Sequence, residues 1–464
     1  MSVSSFTLSL REEITLVPQE QNLILQSPVR KLTFHKPQAG LQGALSALKQ
    51  GNQTLDELQQ QIIETDGIES AEQFEAYLER LIHLGWVCHS LIPSSFSLIK
   101  AIPMAGNYQF DHYDIDWEET VFTLSRFAYL RQVEGKTVLE CPLSQTKIIL
   151  LDWRSAALIA KLAEPQTVTE LIAGIPDISE EIGKQFIYLL LATQMLSFET
   201  DEPPLVFWEF HDLLFHSRSR NGRHNYPLGG IFPFKGKIDP LPAVKPLMGD
   251  TIIELAKPNL DELKKTDISL TEALEKRSSI REHGETPMTV QQLGELLYRC
   301  ARVKKVLETD FGEISRRPYP GGGAIYELEI YPVVRNCEGL ETGIYQYHPL
   351  DHVLCPISEW TPEAEALITD AWYANGQQVK PQVLLVITAR FGRLFWKYRS
   401  MGYAAILKHV GVMYQTLYLV ATSMNLAPSA LGAGNSDLFA AATGIDYYEE
   451  ASVGEFMLGS VCEK

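Results

Sequence analysis

The sequence of 464 residues has little charge and little cysteine, and neither is arranged for a metal site or a membrane span. Only 21% of the residues are charged, and the six cysteines are scattered singly, so no CxxC or Cys/His pair has metal-ligand spacing. The most apolar helical stretch, YAAILKHVGVMYQTLYLVATSM, contains Lys408, His409 and Gln415, which predicts a buried helix and no membrane span. The opening MSVSSFTLSLREEITLV lacks the basic and apolar regions of a signal peptide, so a cytoplasmic protein with reduced thiols is expected.

Positive charge is scarce, most of all in the first half of the chain. The formal net charge is −18, and residues 1–200 hold 14 Lys and Arg against 25 Asp and Glu. An acidic surface repels phosphate backbones, so we expect no nucleic-acid partner for this half. The three histidines of residues 209–224 are five and eight residues apart. That spacing does not place them on one helix face as metal ligands, and no metal site is predicted.

A weak internal repeat organises the first half. QTLDEL (53–58) returns as QTVTEL (166–171) at an offset of 113, and neighbouring helix positions match at the same offset. Each unit begins with short strands, NLILQSP or KTVLECP, and continues through a short helix, a QT-capped helix and a longer amphipathic helix. This pattern predicts two tandem winged-helix-like modules. Such modules can bind an extended peptide by adding it as a strand to a sheet edge, which fits the acidic charge better than DNA binding does.

The second half alternates helices and strands and predicts an α+β domain. Residues 201–270 are rich in Pro and Gly, so little regular structure is expected there. The predicted elements after this region end at residue 460. They are helices near 270–282 and 290–304, a strand at 324–334, a hairpin at 343–357, a helix capped by Thr361, a strand at 382–391, a long helix at 401–425 and a final strand at 453–460.

Three glycines, Gly321 to Gly323, stand directly before the strand predicted at 324–334. Glycine allows turns with positive φ and close approach of a ligand to the backbone. The segment RPYPGGGA is neither a phosphate-binding P-loop nor a dinucleotide fingerprint, because the required spacing and the strand–turn–helix order are absent. The glycines therefore form either a plain turn or a surface against which a flat or anionic group binds.

Two further segments contain groups suited to chemistry. EKRSSIREH (275–283) places Arg277, Ser279 and Arg281 at a helix end, where they suit phosphate oxygens or simply a solvated helix C-terminus. FWKYRSMGY (395–403) places Lys397 beside Tyr398 between a strand and the long helix. Both are proton-transfer groups with ordinary pKa values near 10, so they are either tuned for catalysis or a packed Tyr with a surface Lys.

Taken together, these segments resemble the flavin-dependent SagB-type dehydrogenases, and among them the cyanobactin azoline oxidases. The resemblance covers residues 205–464 and rests on FHDLLFHSRSR, RSSIR, RPYPGGGAIYELEIY, GLETGIYQYHP, KYRSMGY and ALGAGNSDLF. It implies a nitroreductase-like fold, an FMN cofactor at a homodimer interface, and a thiazoline-containing precursor peptide as substrate. The implied domains are winged-helix-like modules at 1–105 and 106–204, which recognise peptide, and an FMN-binding dehydrogenase domain at 205–464.

The resemblance also assigns site residues. It implies Lys397 and Tyr398 as the catalytic pair, and Pro320 to Gly322 as a turn that reaches the cofactor from the partner subunit. The full set of implied cofactor-binding residues is Arg277, Ser278, Ser279, Arg281, Pro320, Gly321, Gly322, Gln415, Leu431 and Gly432. One phosphate ligand is left open among Arg218, Arg220 and Arg399. Met401, Ala404 and Ser429 depart from residues common in the family, which often has Arg, Arg and Cys at these places.

The implied reaction removes two hydrogens from a thiazoline, with an oxazoline as the second candidate substrate, to give the aromatic azole. A base takes the Cα proton, and the flavin accepts hydride from Cβ. Either Lys397 or Tyr398 can be that base. Two alternatives remain open at this stage. The first is a nitroreductase or quinone reductase that uses NAD(P)H, and it leaves the first 200 residues without a role. The second is a winged-helix regulator with an inactive flavin domain, which the acidic charge disfavours.

Overall fold

The computed structural model describes residues 6–93, 96–106, 108, 110, 113–197 and 203–462. Residues 1–5 of the N-terminal segment considered above lie outside this range. The chain forms two compact units, unit 1 at 1–226 and unit 2 at 227–464. The three domains expected with boundaries at 105 and 204 stay a prediction.

The described residues of unit 1 form a seven-stranded sheet, a three-stranded sheet, a two-stranded sheet and seven α-helices. The large sheet has the order β5-β1-β6-β7-β11-β10-β9, and β2-β3-β4 and β12-β8 form the smaller ones. The strands are β1 (Thr7–Leu10), β2 (Thr15–Gln19), β3 (Asn22–Gln26), β4 (Lys31–His35), β5 (Gln53–Thr54), β6 (Val87–Leu91), β7 (Ile99–Pro103), β8 (Thr123–Leu124), β9 (Tyr129–Val133), β10 (Lys136–Glu140), β11 (Thr146–Leu150) and β12 (Leu196–Ser197). The helices are α1 (Ala39–Gln50), α2 (Leu55–Asp66), α3 (Ile68–His83), α4 (Trp153–Lys161), α5 (Val168–Ile172), α6 (Glu180–Ala192) and α7 (Phe210–Arg218).

The structure confirms the internal repeat and extends it. The antiparallel meander β2-β3-β4 precedes α1, α2 and α3, and the meander β9-β10-β11 precedes α4, α5 and α6 in the same order. Corresponding strands begin 114 or 115 residues apart. Thr54 and Thr167, the paired QT threonines, each close a capping box at the start of the second helix. The same local hydrogen bonds therefore begin the same helix in both modules.

Unit 2 is built around a second seven-stranded sheet, whose order is β14-β19-β18-β17-β20-β23-β22. The same unit contains two separate two-stranded sheets, β13-β21 and β15-β16. The strands are β13 (Gly229–Gly230), β14 (Ile253–Glu254), β15 (Lys305–Leu307), β16 (Ile314–Arg316), β17 (Leu328–Val334), β18 (Gly343–His348), β19 (Val353–Glu359), β20 (Val383–Arg390), β21 (Tyr398–Arg399), β22 (Leu426–Leu431) and β23 (Glu450–Ser460). The helices are α8 (Leu260–Thr266), α9 (Leu270–Lys276), α10 (Val290–Ala301), α11 (Pro362–Ala374), α12 (Phe391–Phe395), α13 (Gly402–Ser423) and α14 (Ser436–Thr443).

Helices cover both faces of the unit 2 sheet. Along β20, Leu385 and Ile387 pack in a core with residues of α10 and α13, whereas Leu384 and Val386 pack with residues of α11 and α14. Successive side chains of a strand point to opposite faces, so a continuous apolar run such as VLLVITAR is what a sheet buried on both faces requires. This layering places α13 directly on the sheet, with its first turn beside the Lys397–Tyr398 segment.

The predicted helix starts are confirmed, while several ends are shorter than predicted. Ser269, Thr289 and Thr361 each accept a backbone hydrogen bond at a helix start. The helix predicted at 270–282 ends at Lys276, and Arg277 to Arg281 are non-helical. The hairpin at 343–357, the strand at 382–391 and the long helix at 401–425 are found within a few residues of their predicted limits.

The strand predicted from residue 324 begins only at Leu328. Gly322 to Ala324 form a short 3₁₀ turn, and Ala324 and Tyr326 have positive φ values of 58° and 50°. Such angles turn the chain away from the extended conformation that alternation in AIYELEIY predicts. None of the helices in the described parts of the chain is long and apolar enough to cross a membrane.

Candidate active site and cofactor site

The Lys397–Tyr398 segment is held by a distant stretch of unit 2. β21, which contains Tyr398, pairs with β13, and the carbonyl of Lys397 accepts hydrogen bonds from the amides of Ile231 and Phe232 at 3.0 and 3.2 Å. Ser400 then turns the chain with φ 59°, and α13 begins at Gly402. Adjacent residues of an extended strand would point to opposite faces, so this clamped turn is what allows both side chains to approach one place.

That place is the glycine turn. A Cβ built on Gly323 would overlap Lys397 Nζ and would lie 2.6 Å from Tyr398 Oη. The ammonium group of Lys397 is 5.3 Å from the centre of the Tyr398 ring and 5.6 Å from that of Phe232. Both side chains are half-buried. The functional ends of the two predicted catalytic residues thus converge on the α-carbon of Gly323, in the same chain.

A histidine and a buried glutamate hold the glycine turn in position. His409 of α13 accepts a hydrogen bond from the Gly322 amide through Nε2, at 2.8 Å, and contacts Glu327 Oε1 through Nδ1, at 2.6 Å. Because Nε2 accepts, Nδ1 is the nitrogen that carries the proton and donates to Glu327. Glu327 is fully buried, and its second oxygen has no partner among the described residues. The His409–Glu327 pair therefore connects the glycine turn to helix α13 and holds the turn in position.

The surroundings shift the two catalytic candidates in opposite directions. Burial, and after it the nearby Arg393 guanidinium, lowers the pKa of Lys397 from its ordinary value. Burial, and after it the Glu327 carboxylate, raises the pKa of Tyr398. Arg393 is buried and donates to the carbonyls of Leu241, Glu313 and Ile325, so its charge is fixed. The surroundings therefore make the neutral amine of Lys397 easier to reach and the phenolate of Tyr398 harder to reach than for the free side chains.

The second cluster lies where residues 277–281 run beside β22. The Ile280 amide donates to the Pro428 carbonyl at 2.9 Å. Tyr418 of α13 connects the two segments, because its hydroxyl accepts from the Ala430 amide at 2.8 Å and contacts Ser279 Oγ at 2.7 Å. The Arg277 guanidinium lies 5.4 Å from the centre of the Tyr418 ring. The structure thus brings Arg277, Ser279 and the end of β22 together.

The donor set of this cluster suits a phosphorylated planar ligand. Neither Arg277 nor Arg281 forms an ion pair with any described residue, and Arg281 is exposed, so both charges are available to an anion. Leu431 is buried at the end of β22, while Gly432 is exposed and a Cβ there would meet nothing within 4 Å. Ser278, Pro320 and Gln415 are also exposed; Gln415 lies one turn before Tyr418 on α13. Cations, a hydroxyl and an uncrowded backbone are what an FMN phosphate and ring require.

The two clusters of one chain are separated along α13. His409, which holds the glycine turn, and Tyr418, which holds the Arg277 segment, are nine residues apart on that helix. At 1.5 Å per residue this is about 13 Å along the helix axis. The Lys397–Tyr398 pair lies at the glycine turn, near His409. The Arg277 segment contacts Tyr418, nearer the C-terminal end of α13.

The three arginines considered as a further phosphate ligand differ in the contacts that they already make. Arg218, in unit 1, has its guanidinium 3.7 Å from the buried Glu140 carboxylate. Arg399 is exposed and lies over the Phe234 ring at 5.1 Å, and Arg220 is exposed. Within the described residues, no group of three or more His, Cys, Asp or Glu side chains is placed to bind a metal ion.

Reasoning from the sequence missed Glu327, Tyr418 and the clamp formed by residues 229–232. The sequence showed His409 only as a polar residue of the long apolar helix, and the structure places it against the glycine turn. The available signals were a glutamate just before a largely apolar strand and a histidine inside an apolar helix. The partners of these residues lie far away in the sequence: His409 and Glu327 are 82 positions apart, and the clamp residue Ile231 is more than 160 positions from Lys397. A single sequence does not reveal such contacts.

Comparisons with known proteins agree with this architecture. The model of the ThcOx helix-turn-helix domain matches residues 1–112, that of the cyanobactin oxidase ThcOx matches residues 122–225, and that of the nitroreductase family matches residues 274–460. A putative nitroreductase of Methanocaldococcus jannaschii, MJ1384, is 33% identical over 186 residues, which are 40% of this chain and 86% of that protein. The microcin B17-processing protein McbC of Escherichia coli is 34% identical over 133 residues, which are 28% of this chain and 48% of McbC.

Solved structures show more distant likeness. A putative nitroreductase from Anabaena variabilis is 20% identical with a TM-score of 0.38, over 53% of this chain and 45% of that one. A chain of the E. coli microcin synthetase McbBCD complex with truncated pro-MccB17 is 20% identical with a TM-score of 0.33, over 57% of this chain and 99% of that one. The relative MJ1384 and the nitroreductase model show that the C-terminal unit belongs to the nitroreductase family. With the two ThcOx models, which match residues 1–112 and 122–225, they identify the chain as an azoline oxidase of the cyanobactin oxidase type.

Proposed function

We propose that this enzyme oxidises thiazoline rings of a ribosomally made precursor peptide to thiazoles, with FMN as cofactor, Lys397 as the base and Tyr398 as a hydrogen-bond donor. The observation that carries the proposal is the convergence of Lys397 Nζ and Tyr398 Oη on Gly323, in surroundings that lower one pKa and raise the other. Members of the nitroreductase family bind flavin, and the half-buried Arg277 and the exposed Arg281, neither of them in an ion pair with a described residue, supply a fitting phosphate site.

Lys397 acts on the Cα proton of the thiazoline. A neutral amine can accept that proton, and the lowered pKa of Lys397 makes the neutral form accessible closer to physiological pH. The anion that develops is shared with the ring nitrogen and the adjacent carbonyl. Tyr398 keeps its proton and can donate a hydrogen bond to that charge. A bound flavin supplies the acceptor for the two electrons that leave the substrate.

We infer that a complete site combines two subunits of a homodimer. The arginine segment and the glycine turn of one chain are about 13 Å apart along α13, measured from Tyr418 to His409. This separation supports an arrangement in which the Arg277 segment of one subunit faces the glycine turn and the Lys397–Tyr398 pair of the partner subunit. Unit 1 would recognise the peptide, and the absence of a membrane-spanning helix in the described residues is compatible with a cytoplasmic location.

The test is mass spectrometry of a thiazoline peptide incubated with the FMN-loaded enzyme. The product should lack two hydrogen atoms. Lys397→Ala should keep FMN and lose about 10²–10⁴-fold in rate, while Tyr398→Phe should lose at least about tenfold. Reduction of the flavin by dithionite needs no base and is the control. Rapid flavin bleaching by NADH without any thiazole formation would favour the alternative nitroreductase activity, and near-normal rates in both variants would place the base elsewhere.

A further inference from the structure

The outer face of the large sheet of unit 1 carries an unpaired cluster of lysines. We call this surface the basic face and define it by Lys100 of β7, Lys136 of β10 and Lys147 of β11. In the β7–β11 register, Lys100 lies opposite Ile149 and Lys147 lies opposite Ile102, so the two lysines are diagonal neighbours on one face. Ile149 in turn lies opposite Val138, two residues after Lys136, which puts Lys136 on the same face.

The other face of this sheet is filled, whereas the basic face is covered only in part. Glu140, opposite Lys147, is buried and accepts hydrogen bonds from Tyr129, Arg131 and Tyr226. Ala101, Leu139 and Ile148, which alternate with the residues above, belong to the hydrophobic core with α6. The basic face instead lines a cavity of about 140 Å³ with Ile102, Val138 and Ile149 in its wall. A second cavity of about 570 Å³ shares Arg11, Glu13 and Asn225 with the first and continues past Trp86 to Arg30. The two cavities together form one elongated cleft within unit 1.

Cations outnumber carboxylates among the residues that line the cleft, five to three. Lys100, Lys136 and Lys147 have no ion-pair partner among the residues the structure describes, and Lys100 and Lys147 are half-buried. Of the three acidic residues at the cleft, Glu13 is paired with Arg11 and is also attracted by Lys147, and Glu12 and Glu134 are exposed. Glu140 lies opposite Lys147 but is paired with Arg131. Like charges on neighbouring strands repel each other, so an anion bound at this face would relieve part of the repulsion among the lysines.

This concentration of cations contrasts with the rest of the module pair. Residues 1–200 hold only 14 Lys and Arg against 25 Asp and Glu, yet three of those cations meet on one sheet face. Side chains on one face of an extended peptide recur about every 6.6–6.8 Å, which is close to the 7–8 Å between diagonal neighbours in a sheet. Carboxylates at alternate positions of an extended peptide would therefore meet successive lysines of this face.

We propose that the basic face binds an acidic, extended segment of the peptide substrate, outside the residues that are oxidised. The proposal rests on the proposed function for the identity of the partner. It assigns the recognition of negative charge to the sheet face of unit 1, whereas strand addition at a sheet edge would depend on main-chain hydrogen bonds and not on these lysines.

The binding experiment uses the full chain and a fluorescein-labelled dodecapeptide of alternating Glu and Thr, with the Lys/Thr dodecapeptide for comparison. Fluorescence anisotropy should show binding of the Glu/Thr peptide only, and the affinity should fall as ionic strength rises. The triple variant Lys100→Gln/Lys136→Gln/Lys147→Gln should bind about 3- to 150-fold more weakly, since three surface charge pairs of about 0.2–1 kcal/mol each are lost.

The matched control changes the same number of charges elsewhere in unit 1, as Lys31→Gln/Lys36→Gln/Lys184→Gln. These lysines lie outside the cleft, and the Lys184–Glu180 pair is a surface pair. Equal weakening in both triple variants would overturn the proposal, because net charge and not the basic face would then explain binding. Displacement of the peptide by duplex DNA at equal affinity would also overturn it, because the face would then be a site for nucleic acid. A change of oligomeric state confined to the first variant would overturn it as well, because the face would then bind a second copy of the chain.

A kinetic experiment separates this proposal from the proposed function. Two thiazoline peptides are compared, one with an acidic flank and one with a neutral flank. The first triple variant should raise KM for the acidic-flank peptide alone and leave kcat unchanged for both, because the lysines lie in unit 1 and do not touch the reacting ring. Absence of thiazole formation by the unchanged enzyme, with Glu/Thr peptide binding intact, would reject the proposed function only; an unchanged KM would reject the basic face.

Discussion

The substitution Gly323→Ala separates the chemistry of the site from its stability. Gly323 has φ 61° and ψ 19°, in the left-handed region, where a residue with a Cβ costs about 1–2 kcal/mol. The added methyl group would also meet Lys397 Nζ and Tyr398 Oη. Because these atoms are the free ends of long side chains, they can move aside at little further cost in folding free energy. They are, however, the atoms proposed to do the chemistry.

The expected result is a modest loss of stability and a large loss of activity. A penalty of about 1–2 kcal/mol in a domain the size of unit 2 lowers Tm by about 2–8 °C. Restoring an ordinary contact distance to the new methyl group requires Lys397 and Tyr398 to shift by about 1 Å, and a displacement of that size can reduce the rate about 10²-fold. The assays are calorimetry for Tm and the rate of thiazole formation at saturating FMN.

Gly376→Ala is the matched control. Gly376 has φ 70°, so alanine there has the same backbone penalty, but its Cβ would meet nothing within 4 Å. Both variants should therefore lose similar stability, and only Gly323→Ala should lose activity. If the two variants had the same activity, the convergence of Lys397 and Tyr398 on this turn would not matter for catalysis, and the reasoning would be refuted.

Three further predictions concern the same unit. The rate should rise with pH and level off above the pKa of Lys397, which lies below the ordinary lysine value because of burial and Arg393; this ascending limb should remain in Tyr398→Phe and vanish in Lys397→Ala. The double variant Arg277→Ala/Arg281→Ala should fold normally but be purified with little FMN, as measured by its visible absorbance. Glu327→Gln keeps an oxygen that can accept from His409 and should retain most of the activity, whereas Glu327→Leu should lose at least about tenfold.

Each of these predictions has a comparison that would contradict it. For the arginines, Lys264→Ala/Lys265→Ala removes the same charge from the exposed helix α8, and equal FMN loss in both double variants would remove the phosphate assignment. For Glu327, equal loss in the Gln and Leu variants would show that the negative charge, and not the hydrogen bond to His409, is what matters. For the pH profile, a limb that survives in Lys397→Ala would belong to another group.

Local features of the fold were predictable because their causes are local. The threonine caps at positions 54, 167, 289 and 361 bond to amides within three residues, so the sequence alone identifies where those helices start. The winged-helix-like repeat was visible for the same reason. The apolar run of β20 likewise predicted a buried strand.

The assembly of the site was predictable only by resemblance, because it depends on contacts between remote segments. Residues 229–232 fall in a stretch whose composition predicts irregular structure, yet they fix the carbonyl of Lys397 and thereby the direction of its side chain. Strand alternation predicted that the run AIYELEIY begins at 324, but the positive φ values of Ala324 and Tyr326 delay the strand. Such angles in residues other than glycine are imposed by tertiary packing, which periodicity does not encode.

The three glycines can now be understood one by one. A Cβ on Gly321 would lie 3.0 Å from the Tyr326 ring, and one on Gly322 would lie 3.1 Å from His409 Nε2. One on Gly323 would meet the catalytic candidates. The turn is therefore not a bare connection, since each glycine admits a different side chain of its own chain. The missing Cβ of Gly323 in particular leaves room for Lys397 Nζ and Tyr398 Oη, the two groups proposed to act on the substrate ring. A glycine at this position therefore serves the chemistry of the site as well as the shape of the turn.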